Sequence, residues 1–273
     1  MSKIIDGKKI AKEIETELTN QVSLMSVPPK LSVVQIGDDP ASASYIKAKA
    51  NAASRVGIKL THHHLSKEIN ITELEKLVDK LNKTEDGLII QLPIPKSLES
   101  VLERIKPEND VDGFHSENLG KLVQGIHGMV PCTPAGIIEL LYRSGNDPEG
   151  KHVVVVGRST IVGTPLSLLL SQKGVDATVT LCHSRTKSLH EHCKQADILV
   201  AAVGKANMIT KDMVKPGAVI IDVGVNRTSE GLVGDVSYDV RDVASQITPV
   251  PGGVGPMTVV MLMSNTVKSA LEN

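Results

Sequence analysis

The chain has 273 residues, with 30 Lys and Arg against 31 Asp and Glu and a formal net charge of −1, which excludes the basic excess of a nucleic-acid binder and an acidic tail. Trp is absent and a single Phe stands beside three Tyr, so the core must be aliphatic and base-stacking platforms are excluded. In chain order, a charge breaks the first apolar stretch at Lys3 and again at Asp6, so no signal peptide is expected. A helix is predicted over 8–25, a strand over 31–37 (LSVVQIG), a helix over 42–56 and a strand over 59–65 (KLTHHHL). A helix over 71–82 and a strand over 87–93 (GLIIQLP) complete this half. A helical connection over 133–144 and a loop over 145–151 (GNDPEGK) lead to strands over 152–157, 177–183, 197–203 and 218–224. Helices fall between them at 164–173 and 187–195; a turn-rich stretch, PVPGGVGP, then precedes a last helix from about 257 to 271.

Strand–helix alternation with β-branched runs predicts an α/β fold of two domains built on parallel sheets. HVVVVG carries no polar alternation, as a strand buried on both faces requires. The first domain is expected over 1–136, completed by the helix 257–273, and the second over 137–256, with a cleft between them. No apolar run reaches the roughly 20 residues that cross a bilayer. Three cysteines, none in a C-x-x-C pair, argue against a disulfide scaffold and for a reducing compartment. A cytoplasmic protein without membrane partners is expected.

The strongest local signal opens the second domain. VVVVGRSTIVGTP joins a buried strand, a Gly at its tip and a helix start, whose free N–H groups and dipole suit a phosphate. It is neither G-x-G-x-x-G nor a P-loop. The next strand ends at His183-Ser184-Arg185-Thr186, with no acid to accept from a ribose hydroxyl, and Arg158 sits beside the first Gly. Arg158, Arg185 and Ser184 therefore favour a 2′-phosphate, and NADP over NAD. In the first domain Tyr45 and Lys49 are four apart and share a helix face. Gln91 stands at a strand's carboxyl end, better placed for a site than for packing. Asp110 and Asp112 lie in one turn, where the plain alternative is turn chemistry. His62, His63 and His64 alternate along a strand and cannot all face one metal. His190-Glu191-His192-Cys193 reads as a helix whose neighbours do not share a face, so no metal is expected. Cys182 reads as core, Cys132 has no evident His partner, and PMTVVMLM reads as an apolar helix face.

Taken together, Tyr45-x-x-x-Lys49, GLIIQLPIP, PENDVDGFHSENLGKL, PCTPAG, VVVVGRSTIVGTP, CHSRT and ITPVPGGVGPMT resemble the bifunctional methylenetetrahydrofolate dehydrogenase/cyclohydrolase family over essentially the whole chain. The resemblance implies oxidation of 5,10-methylenetetrahydrofolate with NADP, then hydrolysis to 10-formyltetrahydrofolate, in one-carbon and purine metabolism. It implies that Tyr45 stacks on the folate, that Lys49 is catalytic, that Gln91 bonds and tunes Lys49, and that Asp112 holds the pterin. Leu92, Pro251, Gly252 and Gly253 fall on substrate positions. Gly157, Arg158, Ser159, Ser184 and Val225 fall on NADP positions. The last helix is expected to return to the first domain, and a homodimer is implied. The chemistry asks for an uncharged amine at Lys49, since a fixed ammonium beside a developing cation raises the barrier. Two alternatives share the scaffold: a dehydrogenase without useful cyclohydrolase activity, and a non-catalytic dinucleotide sensor. The set Tyr45, Lys49, Gln91 and Asp112 argues against the sensor.

Overall fold

Buried aliphatic runs set two parallel sheets. A computed structural model describes residues 2–229 and 231–272, apart from the side chains of residues 40 and 41. The first half runs β1 (Lys3–Ile4), α1 (Gly7–Ser23), β2 (Lys30–Ile36), α2 (Pro40–Val56), β3 (Lys59–Leu65), α3 (Ile71–Thr84), β4 (Gly87–Ile90), α4 (Ser116–Gln124) and α5 (Cys132–Arg143). The second runs β5 (His152–Val156), α6 (Gly163–Ser171), β6 (Thr178–Cys182), α7 (Leu189–Lys194), β7 (Ile198–Ala201), β8 (Val219–Asp222), β9 (Asn226–Thr228), β10 (Gly231–Val233), β11 (Gln246–Ile247) and α8 (Val254–Glu272).

One compact unit holds 12–132 and the chain from 259 onward. Its sheet has the order β3-β2-β4, with both pairings parallel. Leu31, Val33 and Val34 of β2 are fully buried. The helix α3 buries Leu74, Val78 and Leu81, spaced i, i+4, i+7, against Val34, Ile36, Leu88 and Ile90. Asn70 caps that helix by accepting from the N–H of Glu73 at 2.9 Å, which fixes its start. A 3₁₀ segment, Lys96–Arg104, closes the same core with Leu98 and Val101.

The other unit, larger by one residue, holds the chain up to Ala11 and 133–258. Its six strands take the order β1-β11-β8-β7-β5-β6, all parallel. Val153 to Val156 of β5 are at most 1% exposed, so helices cover both faces as the VVVV run predicts. β5 lies between β6 and β7, so the strand order reverses beside it, and ligands of such Rossmann-like sheets bind at that point beyond the carboxyl ends. β1 pairs Lys3 and Ile4 with Gln246 and Ile247. That pairing draws the first eleven residues into this unit, whereas the expected boundaries put 1–136 together. Segment 133–136 also falls here, and α8 passes from this unit into the other after Thr258. The helix α4, the β9–β10 hairpin, the 3₁₀ segment and the two-residue strands β1 and β11 were not among the expected elements.

Candidate active site and cofactor pocket

In the smaller unit, Gly37 at the tip of β2 takes a positive φ of 76° and turns the chain into α2. Asp39 caps that helix, accepting from the N–H and the hydroxyl of Ser42, each at 2.8 Å. Ser42 also reaches the carbonyl of Leu92 at 3.4 Å, tying the helix start to the exit of β4. The cap fixes where Tyr45 and Lys49 stand one turn apart. The Tyr45 ring is 52% exposed, an unusual position for one of only four aromatic residues. Lys49 is half-buried and its Nζ donates to Oε1 of Gln91 at 3.0 Å. Gln91 in turn donates through Nε2 to the carbonyl of Leu92 at 2.9 Å, which fixes which face of the amide meets the lysine.

The turn after β4 separates its two carboxylates. Asp110, buried, accepts from the N–H of Gly113 at 3.2 Å, the N–H of His115 at 2.8 Å and Nδ2 of Asn118 at 3.0 Å. It is a turn organiser, and burial raises its pKa against those bonds. Asp112 has no hydrogen-bond donor among the described residues. Burial pushes its carboxyl up, while the charge of the nearby Lys49 pulls it down. Gly113 takes a φ of 76°, and a Cβ there would meet the backbone of Val130 and Pro131, so only Gly fits. Beneath the turn, Nδ2 of Asn265 on α8 donates to the carbonyls of Val111 and Val130, each at 2.9 Å. Sequence reasoning missed Asn265; a lone amide in the apolar stretch MLMSNTV was the only signal. Cys132 is fully buried beside these groups, donates to the Val111 carbonyl at 3.3 Å and has its thiol pushed well up by burial, so it is no nucleophile.

In the larger unit, a cavity of about 410 Å³ opens at the carboxyl ends of β5, β6 and β7. Gly157, Arg158, Ser159 and Ser184 line it together with His183 and Lys205. Gly157 takes a φ of 122°, and a Cβ on it would strike the Ala202 carbonyl; one on Gly163 would strike the Gly157 carbonyl. The two glycines thus let the β5–α6 turn close tightly; at the start of α6 the Thr164 N–H donates to the Ser159 carbonyl at 3.0 Å and Pro165 has no N–H, so Gly163 is the position there that can offer an N–H to a phosphate. Ser159 holds the turn by accepting from the N–H of Val162 at 3.2 Å. Among the described residues no carboxylate lines the cavity at the end of β6; Arg158 and Ser184 do, and these donors suit a phosphorylated ribose. Arg185 and Val225 do not line it. Val225 stands 49% exposed just past β8. Lys205 and Met208, which do line it, were missed because they follow β7 in an unpatterned loop.

Pro251, Gly252 and Gly253 lie in the larger unit, where the carbonyl of Gly252 accepts from the N–H of Lys8 at 3.1 Å. A Cβ on Gly7 would meet Gly253, so the loop rests on the start of α1. A further cavity, about 560 Å³, sits at the amino ends of β5, β7 and β8 around the Lys215–Asp197 ion pair, on the side of the sheet away from the switch-point crevice. His62 and His64 stack at 5.8 Å and bond Gln35 and Gly37, while His63 turns to Ser32.

Two family models match. One described as the tetrahydrofolate dehydrogenase/cyclohydrolase catalytic domain covers residues 5–112, and one described as the NAD(P)-binding domain of the same enzymes covers 131–273. The bifunctional protein FolD of Brevibacillus brevis is 54% identical over 98% of this chain and 96% of its own length. Among solved structures, the bifunctional FolD methylenetetrahydrofolate dehydrogenase/cyclohydrolase of Campylobacter jejuni superposes with a TM-score of 0.96 at 42% identity, covering 100% of this chain and 99% of that one. The Trypanosoma brucei N5,N10-methylenetetrahydrofolate dehydrogenase-cyclohydrolase, solved with NADP cofactor and inhibitor, superposes at 0.92 and 38% identity over 100% and 99%.

Proposed function

Because the chain belongs to the tetrahydrofolate dehydrogenase/cyclohydrolase family, we propose how its side chains divide that family's two reactions. The protein oxidises 5,10-methylenetetrahydrofolate to 5,10-methenyltetrahydrofolate with NADP and hydrolyses the product to 10-formyltetrahydrofolate. When bound, NADP supplies the hydride acceptor. Removing a hydride from the methylene carbon leaves a resonance-stabilised cation. Water then adds to that carbon and gives up one proton; its second proton passes to one of the two nitrogens as the bond from the carbon to that nitrogen breaks, leaving the formyl group on the other.

In our reading the unit of 12–132 and α8 takes the folate, and the unit of 133–258 takes NADP. The exposed Tyr45 ring stacks on the pterin, with Leu92 beside it, and the donor-free carboxylate of Asp112 accepts from pterin N–H groups. Lys49 moves the proton as water adds. Gln91 aims its nitrogen through the 3.0 Å bond without adding charge near a cation. Gly157, Arg158, Ser159 and Ser184 hold the NADP phosphates, with Arg158 and Ser184 on the 2′-phosphate, and Val225 contributes from the end of β8. Pro251, Gly252 and Gly253 contact the substrate. A cytoplasmic homodimer supplying 10-formyl groups for purine synthesis is the reading the resemblance supports; no helix among the described residues is long and apolar enough to cross a membrane.

The observation that carries this reading is the Lys49–Gln91 bond beside the open Asp112 carboxylate, with no carboxylate within ion-pair distance of the Lys49 nitrogen among the described residues. Lys49→Met should lower the hydrolysis of methenyltetrahydrofolate, followed by its absorbance, to the buffer rate, while NADP affinity changes by less than about twofold. Hydrolysis at the wild-type rate would remove Lys49 from the mechanism.

A further inference from the structure

Two buried carboxylates in the larger unit belong to neither site, and among the described residues neither meets a cation. Asp235 is fully buried. Its Oδ2 accepts from the N–H of Val203 at 2.7 Å and of Gly204 at 2.9 Å, and its Oδ1 from the N–H of Lys205 at 2.8 Å and from Nδ2 of Asn226 at 2.9 Å. Three successive N–H groups converging on one anion form a nest, and the φ of 65° at Gly204 supplies the left-handed residue that such a loop needs. Asp222, at the end of β8, holds Asp235's own segment. It accepts from the N–H of Asp235 at 2.8 Å, of Val236 at 3.1 Å and of Gly224 at 3.2 Å. Gly224 and Gly234 make room, since a Cβ on either would strike the carboxyl group of Asp235 or Asp222 respectively.

The loop so gripped matters because Val203 and Lys205 form one wall of the 410 Å³ cavity. N–H groups at the carboxyl end of a switch-point strand are the usual partners of a ligand phosphate. Here an internal anion has taken all three, so they point away from the ligand and the loop keeps one shape. We propose that Asp235 is a positioning residue for the cofactor, fixing the 203–205 wall, and that Asp222 fixes Asp235. The same chain, β8 to Asp222 to Asp235 to the β7 loop, also sets the turn at Gly224 that precedes Val225. This rests on the reading that the cavity takes NADP.

The bifunctional enzyme carries its own control, because hydrolysis of the methenyl compound needs no cofactor. In Asp235→Asn an amide must place N–H groups against N–H groups, and the 203–205 loop loses its anion. Steady-state dehydrogenase kinetics should show the KM for NADP raised about tenfold, with the KM for methylenetetrahydrofolate and the hydrolysis rate within about twofold of wild type. A residue that only stabilises the fold would lower both activities together and leave the KM for NADP unchanged, and that result would overturn the proposal. If Asp235→Asn does not fold, Asn226→Ala, which removes one of the four donors, decides the matter. A rise of about threefold in the KM for NADP supports the proposal, and no change sinks it. Arg158→Ala, run alongside, separates the two ideas. If it weakens NADP binding while the Asp235 and Asn226 variants do not, the proposal fails and the cavity assignment stands. If none of the three weakens NADP binding, the cavity assignment itself fails.

Discussion

Asp110 and Asp112 stand two residues apart, and what separates them is where backbone N–H groups happen to point. Asp110 collects two backbone N–H groups and an Asn amide; Asp112 collects none and feels the charge of Lys49. The substitutions should therefore part company. Asp110→Asn leaves N–H donors facing an amide in a buried turn and should cost about 1–3 kcal/mol in a denaturant melt. Asp112→Asn should leave the melt nearly unchanged and raise the KM for the folate substrate about tenfold. A melt shifted equally by both would contradict the division. Arg158 offers a second contrast at this scale. Arg158→Gln keeps a hydrogen-bonding side chain but removes the charge that a 2′-phosphate needs, so NADP should weaken by about tenfold and NAD far less. Equal losses, measured by titrating each nucleotide, would undo the 2′-phosphate assignment. DVDG offers no residue-level clue as to which acid organises and which is free. Lys49 and Gln91, 42 positions apart, were each legible locally, by the helix face shared with Tyr45 and by the strand end; that the two bond to each other came only from the resemblance.

Among the elements, α8 has two tasks. Its methionines pack into the interior, with Met257 and Met263 fully buried, and its Asn265 pins the carbonyls on either side of the Asp112 turn. Asn265→Leu strands two buried carbonyls and should cost about 2–3 kcal/mol. It should also lower kcat, because Asp112 loses its seat; unchanged kinetics with a lowered melt would confine Asn265 to stability. Long elements were legible for physical reasons. Continuous runs such as HVVVV and GLII have a buried-strand signature that needs no partner to be read, and α3 carries its stripe and its cap locally. β1 and β11 were illegible because two residues hold no period; they are strands only by virtue of pairing across more than 240 positions. The stretch that becomes α4 starts at a His cap, a residue outside the usual N-cap set, so no start signal stood before it.

At the scale of the whole molecule, buried acid chemistry should show in the pH profile of stability. Burial raises Asp222 from the ordinary 3.8 to about 7, against the pull of its three N–H partners. The folded chain therefore holds a proton there that the unfolded chain releases. The stability this adds is complete below 3.8, is lost progressively as pH rises towards about 7, and is gone above that. Asp197 works the other way. Lys215 and the His152 N–H lower it, so its contribution is present above the ordinary carboxylate pKa and disappears as pH falls through the lowered one. Urea melts across the window from about 4 to 7 should show wild-type stability declining as pH rises, and Asp222→Asn should flatten that decline. An unaltered slope in the variant would mean that Asp222 does not titrate there.

The parallel pairing of residues 3–4 with 246–247 sets a timetable for synthesis. Residues 3–4 are synthesised more than 240 positions ahead of the edge that receives them. Until that edge is made the segment must stay unengaged beside a nascent protein whose other half is already folding. Splitting the gene near codon 132 would give neither product a whole unit: one fragment would lack the edge for its leading strand, the other the strand for its edge, and Asn265 would be on the wrong piece. Co-expression of the two halves, rather than either alone, is the arrangement in which activity should return.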